Sequence, residues 1–228
     1  MEELHTTERT RLKRLPKRGS YDRGTINAII DEALFCHVGF VHAGAPFVIP
    51  TLHIRIGENL YVHGSAASRM IRTASEGIPL CVTVTHIDSL ILARSAFHHS
   101  VDYRSVVILG TAHEVEDAAE KTRVLEALVE HIIPRRWADI RRPAPKELAA
   151  TSVLCLPITE ASAKVRAAGV VDDEEDYALP MWAGKIPLKL VAGEPVPDDR
   201  LTPGIAMPSY VANYRLPNAR GNSNGKAG

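Results

Sequence analysis

Cys36-His-Val-Gly-Phe-Val-His-Ala-Gly-Ala-Pro-Phe-Val-Ile-Pro-Thr-Leu-His-Ile-Arg-Ile56 is the stretch that decides the fold class. Two β-like runs, Cys36–Ala43 and Pro46–Ile56, flank Ala43-Gly44-Ala45, a natural hairpin turn. A short strand, Asn59–His63, follows and runs into Gly64 and Ser65. Residues 66–76 read as a short helix stopped by Gly77 and Pro79. Two further strands, Leu80–Thr85 and Leu90–Ala96, flank Asp88-Ser89. A polar loop with His98, His99 and Ser100 then leads into a long strand, Tyr103–Val115. Upstream, Ile26, Ile29, Ile30, Ala33 and Leu34 mark one face of a helix, with Asp22 as its cap. Downstream, Asp117-x-x-Glu120 resembles a capping box and opens a helix with Val124, Leu125, Leu128, Val129, Ile132 and Ile133 on its apolar face. Pro134 ends that helix, and a last strand falls at Ser152–Ile158. Antiparallel strands with short turns and scattered helices predict a mainly β fold, a small barrel with peripheral helices. No G-x-G-x-x-G follows a strand and no P-loop is present.

The chain of 228 residues is 45% hydrophobic and 24% charged, enough apolar material for a sizeable core. Twenty-seven basic residues offset twenty-seven acidic ones, which gives no case for nucleic-acid or membrane binding through charge. No apolar run approaches the roughly 20 residues of a membrane span. The first residues are charged and lack an apolar signal region, so a cytoplasmic protein is expected. Cys36, Cys81 and Cys155 each sit in an apolar segment without C-x-x-C spacing, which argues for buried thiols and against disulfides or zinc.

Four segments are expected. Residues 1–20 form a basic arm, either solvated or lying over an anionic ligand or a partner. Residues 21–170 form the barrel domain. Residues 171–217 begin with the acidic run Asp172–Asp176 and hold seven of the fifteen prolines. Trp182, Ile186, Leu188, Leu190 and Val191 make this stretch too apolar for a free tail, so it reads as an extended arm packed on a surface. Residues 218–228 are polar and Gly-rich, a disordered tail.

Chemistry concentrates at Tyr61-Val-His-Gly-Ser-Ala-Ala-Ser-Arg69. Gly64 permits a turn, Ser65 can cap the helix that follows, and a helix N-terminus attracts anions. Arg69 stands where the helix dipole disfavours a cation. Either a phosphate resolves that conflict through the Arg fork, or Arg69 is a surface residue reaching a nearby carboxylate. Tyr103 and Arg104 read either as a barrel-rim pair or as ligand contacts. His98 and His99 are adjacent and diverge, a poor chelate pair, and no H-E-x-x-H or spaced Cys/His set suggests metal. No G-x-S-x-G elbow suggests a nucleophile.

The runs Phe47-Val-Ile-Pro50, Tyr61-Val-His-Gly64, Leu92-Ala-Arg-Ser95, Tyr103-Arg-Ser-Val106 and Thr151-Ser-Val153 occur in the order and spacing of one family. Over residues 9–215 the chain resembles the pyridoxamine 5′-phosphate oxidase-like flavin-binding proteins, in particular the branch with the nitroimidazole-resistance proteins. The resemblance implies a six-stranded split barrel that forms a homodimer with FMN in two clefts between subunits. It implies Pro50, Thr51 and Leu52 along the flavin ring, with His63 and Gly64 continuing toward the ribityl chain. Ser68 and Arg69 would hold the phosphate, with Ser65 also among the cofactor-binding residues. Thr83 and Thr85 would reach the ribityl or phosphate end, and Arg94, Ser95 and Tyr103 the partner's side of the cleft. Trp182, in Trp182-Ala-Gly-Lys-Ile-Pro187, is similar to a Trp-Gly-Gly stretch of the oxidases. The basic and aromatic set that those oxidases use for the substrate's own phosphate has no match here. The resemblance thus implies an FMN-dependent oxidoreductase acting on a small molecule, with His63 as proton donor or as a structural residue. A flavin carrier or sensor without turnover, and a haem-binding split barrel, are the competing readings.

Overall fold

A computed structural model describes residues 2–217, so the tail expected at 218–228 lies outside the described residues. The hairpin turns at Ala43 and Gly44, whose φ of 50° and 78° are both left-handed, as a two-residue turn between right-twisted strands requires. In chain order the elements are β1 (Gly19–Ser20), α1 (Arg23–Glu32), β2 (Phe35–His42), β3 (Ala45–Ile56), β4 (Asn59–Ser65), α2 (Arg69–Ser75), β5 (Pro79–Leu92) and β6 (Ser100–Thr111). They continue with β7 (His113–Glu114), α3 (Ala118–Ile132), α4 (Pro145–Ala150), β8 (Thr151–Pro157), β9 (Glu160–Arg166), β10 (Gly184–Pro187) and α5 (Ser209–Ala212).

One curled antiparallel sheet runs β1-β9-β6-β5-β2-β3-β4-β8-β7, and β10 adds to β5 beyond the end of β2. The sheet does not close, as in a split barrel. Its inner face holds the main core, in which α1 and α2 pack Ile26, Ile30, Ile71 and Ala74 against Val38, Val82, Val106, Ile108 and Leu154. Each such aliphatic side chain contributes about 1.5–3 kcal/mol on full burial. A second core lies on the outer face, where α3 sets Val124 and Leu128 on Ile54, Tyr61, Val153 and Cys155. α3 therefore covers the outer face of the β3–β4–β8 half only. That asymmetry leaves the other half of the outer face uncovered.

Three of the ten histidines have a shared structural task. A helix leaves its last carbonyls without partners. At the end of α1, ring N–H groups of His86, His53 and His131 donate to the carbonyls of Ile29, Ile30 and Ala33, at 3.0, 3.0 and 3.1 Å. They come from β5, β3 and α3, so three elements are tied to one helix end. The start of α1 is capped as the sequence suggests, by Asp22 accepting from Thr25 N at 2.8 Å.

Several local expectations are corrected. Leu80–Thr85 and Leu90–Ala96 are one strand, β5, with a bulge between Ile87 and Ser89 instead of a turn. The polar pair is satisfied by side chains: Asp88 receives Arg104, and Ser89 donates to Asp102 at 2.9 Å. Ser68, not Ser65, caps α2, accepting from Ile71 N at 3.2 Å, and α2 has only seven residues. β9 is a strand that the sequence pattern did not mark, because Glu160-Ala-Ser-Ala-Lys-Val-Arg166 is too small and polar to announce itself. The basic N-terminal segment is not a free arm. Leu4 is buried, Leu4 N donates to Tyr21 O at 2.9 Å, and Thr7 and Arg9 both bind Glu160 of β9.

The Pro-rich arm is pinned to its own chain at two places. β10 pairs with Ser89–Leu92, and Lys185 reaches the carboxylate of Asp102, which Arg166 and Ser89 also bind. At the far end Tyr210 donates to Asp139 at 2.7 Å and accepts from Arg136 at 3.2 Å. Between these anchors Leu190, Val191 and Val196 are exposed.

Candidate functional site

The site begins as a gap in the sheet. β3 pairs with β2 from Ala45 to Leu52, but its ladder with β4 runs only over His53–Ile56. From Leu52 back to Ala45 one edge of β3 faces no strand. The phase of the ladder says which groups line that edge. His53 N donates to Leu34 O across β2, so main-chain groups of the alternate residues Val48, Pro50 and Leu52 turn away from β2 and into the gap. Pro46 and Pro50 occupy this phase, where a residue without N–H leaves no donor stranded. His63, Gly64 and Ser65 of β4 form the opposite wall. At the mouth, the Arg69 guanidinium lies 4.6 Å over the Phe47 ring.

Alternation places Pro50 and Leu52 on the outer face. Thr51, opposite fully buried Cys36, points its side chain inward and its main-chain groups toward β2, so it offers the gap neither. His63 stands on the outer face with Nδ1 buried and unpartnered. Burial holds its pKa below the ordinary histidine value, so the ring is neutral at neutral pH. Arg69 is exposed and, among the described residues, enters no ion pair. The Ser68 and Ser65 hydroxyls accept from Ile71 N and Ala67 N, which leaves each O–H available to donate. With two turns in α2, the dipole adds little here, and the cation itself carries the attraction for an anion.

Thr83 and Thr85 stand on the outer face of β5, Thr83 directly opposite His37 of β2. Around them lie Phe35, Val41, Val48 and Ile87, each more than half exposed. Concavities of 690 and 780 Å³ exist where the arm returns to α3, and neither includes any of these residues. In one chain, then, the candidate residues lie on an open apolar face beside a gap.

The structure does not bring all the expected residues together. Tyr103, opposite Ile87, shares the outer face but lies farther along it. Arg94 is engaged by its own chain: Asp172, whose side chain has no exposure, binds the Arg94 N–H at 3.0 Å and its guanidinium at 3.0 Å, and Tyr177 lies against it. Ser95 Oγ is buried without a partner. Trp182 lies across Gly184, where its ring carbons would stand 2.7–2.8 Å from any added Cβ. Sequence reasoning missed His37 and the main chain of Val48. The shared phase of Pro46 and Pro50 was the available signal for an unpaired edge.

An open antiparallel sheet with two cores and a split between β3 and β4 defines the split-barrel class. The sequence matches the pyridoxamine 5′-phosphate oxidase family over residues 22–165, and the chain belongs to that family. Among solved structures, the flavocytochrome Anf3 from Azotobacter vinelandii is 41% identical, with TM-score 0.87, covering 92% of this chain and 98% of its own. The FAD and haem binding protein from Mycobacterium smegmatis is 33% identical, with TM-score 0.83, over 87% of this chain and 98% of its own. A structure described as a 5-nitroimidazole antibiotic resistance protein from Bacteroides thetaiotaomicron shares the fold at 22% identity, TM-score 0.55, over 64% of this chain and 86% of its own. No functionally curated protein matches the chain. No helix among the described residues is long and apolar enough to cross a membrane.

Proposed function

We propose that the protein is a dimeric flavin- and haem-binding oxidoreductase. The observation that carries the flavin is the uncovered β3 edge, faced by the unpartnered His63 Nδ1 and ending at an unpaired Arg69. Main-chain groups of Val48, Pro50 and Leu52 suit the polar edge of a flat ring system, and the apolar face beside them suits its plane. Arg69 with Ser68 and Ser65 suits the phosphate next to the ribityl chain, which FMN and FAD share. The Mycobacterium relative, an FAD and haem binder, favours FAD over FMN. The relatives likewise favour haem as a second group.

When bound, the flavin supplies hydride and electron transfer itself, and the protein supplies binding, orientation and electrostatics. A neutral His63 beside the ring can take up a proton as charge changes there. A second copy laid over Phe35, Val41, Val48 and Ile87 would exclude water from the gap and complete the cleft. An absorption spectrum of the purified protein, with mass spectrometry of the released groups, tests the cofactors. Flavin bands without a Soret band would remove haem, and neither would remove both. Equilibrium ultracentrifugation tests the dimer, and a fully flavin-loaded monomer at micromolar concentration would overturn it.

A further inference from the structure

We propose that His99 is the residue through which this chain ligates haem iron, beside a face built by Trp182, Leu92, Leu90 and Ile186. The inference rests on the haem reading above and adds to it a place and a ligand.

A histidine that binds iron presents one ring nitrogen with its lone pair free, and its other N–H is held by a carbonyl or carboxylate that fixes tautomer and orientation. His99 has that arrangement. Its Nδ1 donates to the Ser95 carbonyl at 2.9 Å, and the residue is exposed, so Nε2 is left as the acceptor facing outward. The other histidines with a ring nitrogen on a carbonyl, His53, His86 and His131, are turned into the end of α1 through Nε2. His42 is bonded to Thr73, and His98 stands 3.3 Å from Asp173.

The surroundings of His99 suit a large apolar ring. The register Ser100–Ile91 places His99 beside Leu92, and Leu92 pairs with Gly184 of β10. Opposite residues in a ladder share a face, so Leu92 and Gly184 do, and His99 stands one residue beyond the end of the β5–β6 ladder next to Leu92. Gly184 has no side chain, and the Trp182 indole occupies the space a Cβ would need. Trp182 is nevertheless 70% exposed, and Leu90 and Ile186 add a further exposed pair on the same face as Leu92 and Gly184. A sheet face that carries an uncovered tryptophan over Gly184 and aliphatic neighbours, with an oriented imidazole at the end of the adjoining strand, has the chemistry of a porphyrin face. The lock on β10 keeps it in place, since Lys185 on the opposite side of the strand is held by Asp102.

The test uses the full-length protein freed of haem and titrated with hemin, read by the Soret band and by the electron paramagnetic resonance of the ferric iron. Wild type should give a histidine-ligated spectrum. His99→Ala should lose it, and added imidazole should restore it, while His5→Ala and His113→Ala should leave it unchanged. Trp182→Ala should weaken hemin binding by about tenfold without moving the band, because it removes stacking area and not the ligand. An unchanged histidine-ligated spectrum in His99→Ala, with circular dichroism showing both proteins folded, would overturn the assignment. Failure of wild type to bind hemin at all would overturn the haem reading itself.

Discussion

Acidification should unfold this protein partly through one histidine. His53 is 1% exposed, donates through Nε2 to Ile30 O at the end of α1, and has Nδ1 buried without a partner. Burial drives its pKa down, from 6.5 to about 4, against the smaller opposing effect of the Ile30 carbonyl. The folded state therefore keeps the ring neutral, while the unfolded chain takes up a proton below pH 6.5. Between those values the unfolded state binds more protons, so stability rises with pH there and falls as pH drops. The loss from this one group is about 2 kcal/mol at pH 5 and about 3 kcal/mol at pH 4, relative to pH 8. His53→Gln keeps a donor for Ile30 and does not titrate. Urea unfolding at pH 8 and pH 5 should show the wild type losing about 2 kcal/mol more than His53→Gln, an extra midpoint shift of about 1 M. Equal losses in the two proteins would show that His53 is charged in the folded state or reached by water, and the burial argument would fail.

Arg69→Ala should weaken FMN or FAD binding about tenfold to a hundredfold, from the about 1.5–3 kcal/mol of a charge-assisted contact. Riboflavin, which lacks the phosphate, should be almost indifferent to the substitution, and equal losses in a fluorescence titration would place the phosphate elsewhere. Asp102→Asn should cost about 3–5 kcal/mol in urea unfolding, because Arg166 and Lys185 lose their shared carboxylate and Arg166 is 6% exposed. Lys185→Met should loosen β10 and speed proteolysis within residues 188–207, and an unchanged cleavage rate would mean the strand ladder alone holds the arm. His63→Ala should leave flavin binding nearly intact and slow any turnover that requires a proton, which stopped-flow reduction would read.

Local chemistry determined the parts of this protein that short range can write. The Ala43-Gly44 turn, the Asp22 and Asp117 caps, and the apolar spacing of α1 and α3 follow from contacts within a few residues, and each appears as read. The ordered motifs were enough for the family. Tertiary structure decided the rest. Asp88-Ser89 looks like a turn because polar pairs usually are one. Only Arg104 and Asp102, arriving from β6, make a bulged continuous strand the better solution. Arg94 looks available in sequence, yet Asp172, 78 residues away, claims it from the start of an acidic run that otherwise reads as solvated. Beyond the shared phase of Pro46 and Pro50 the gap has no local signature, since an unpaired strand edge is defined by the strand that fails to reach it. The same holds for the histidines: side chains identical in the sequence become a helix cap at His53, a groove wall at His63 or an outward ring at His99 according to what each one meets.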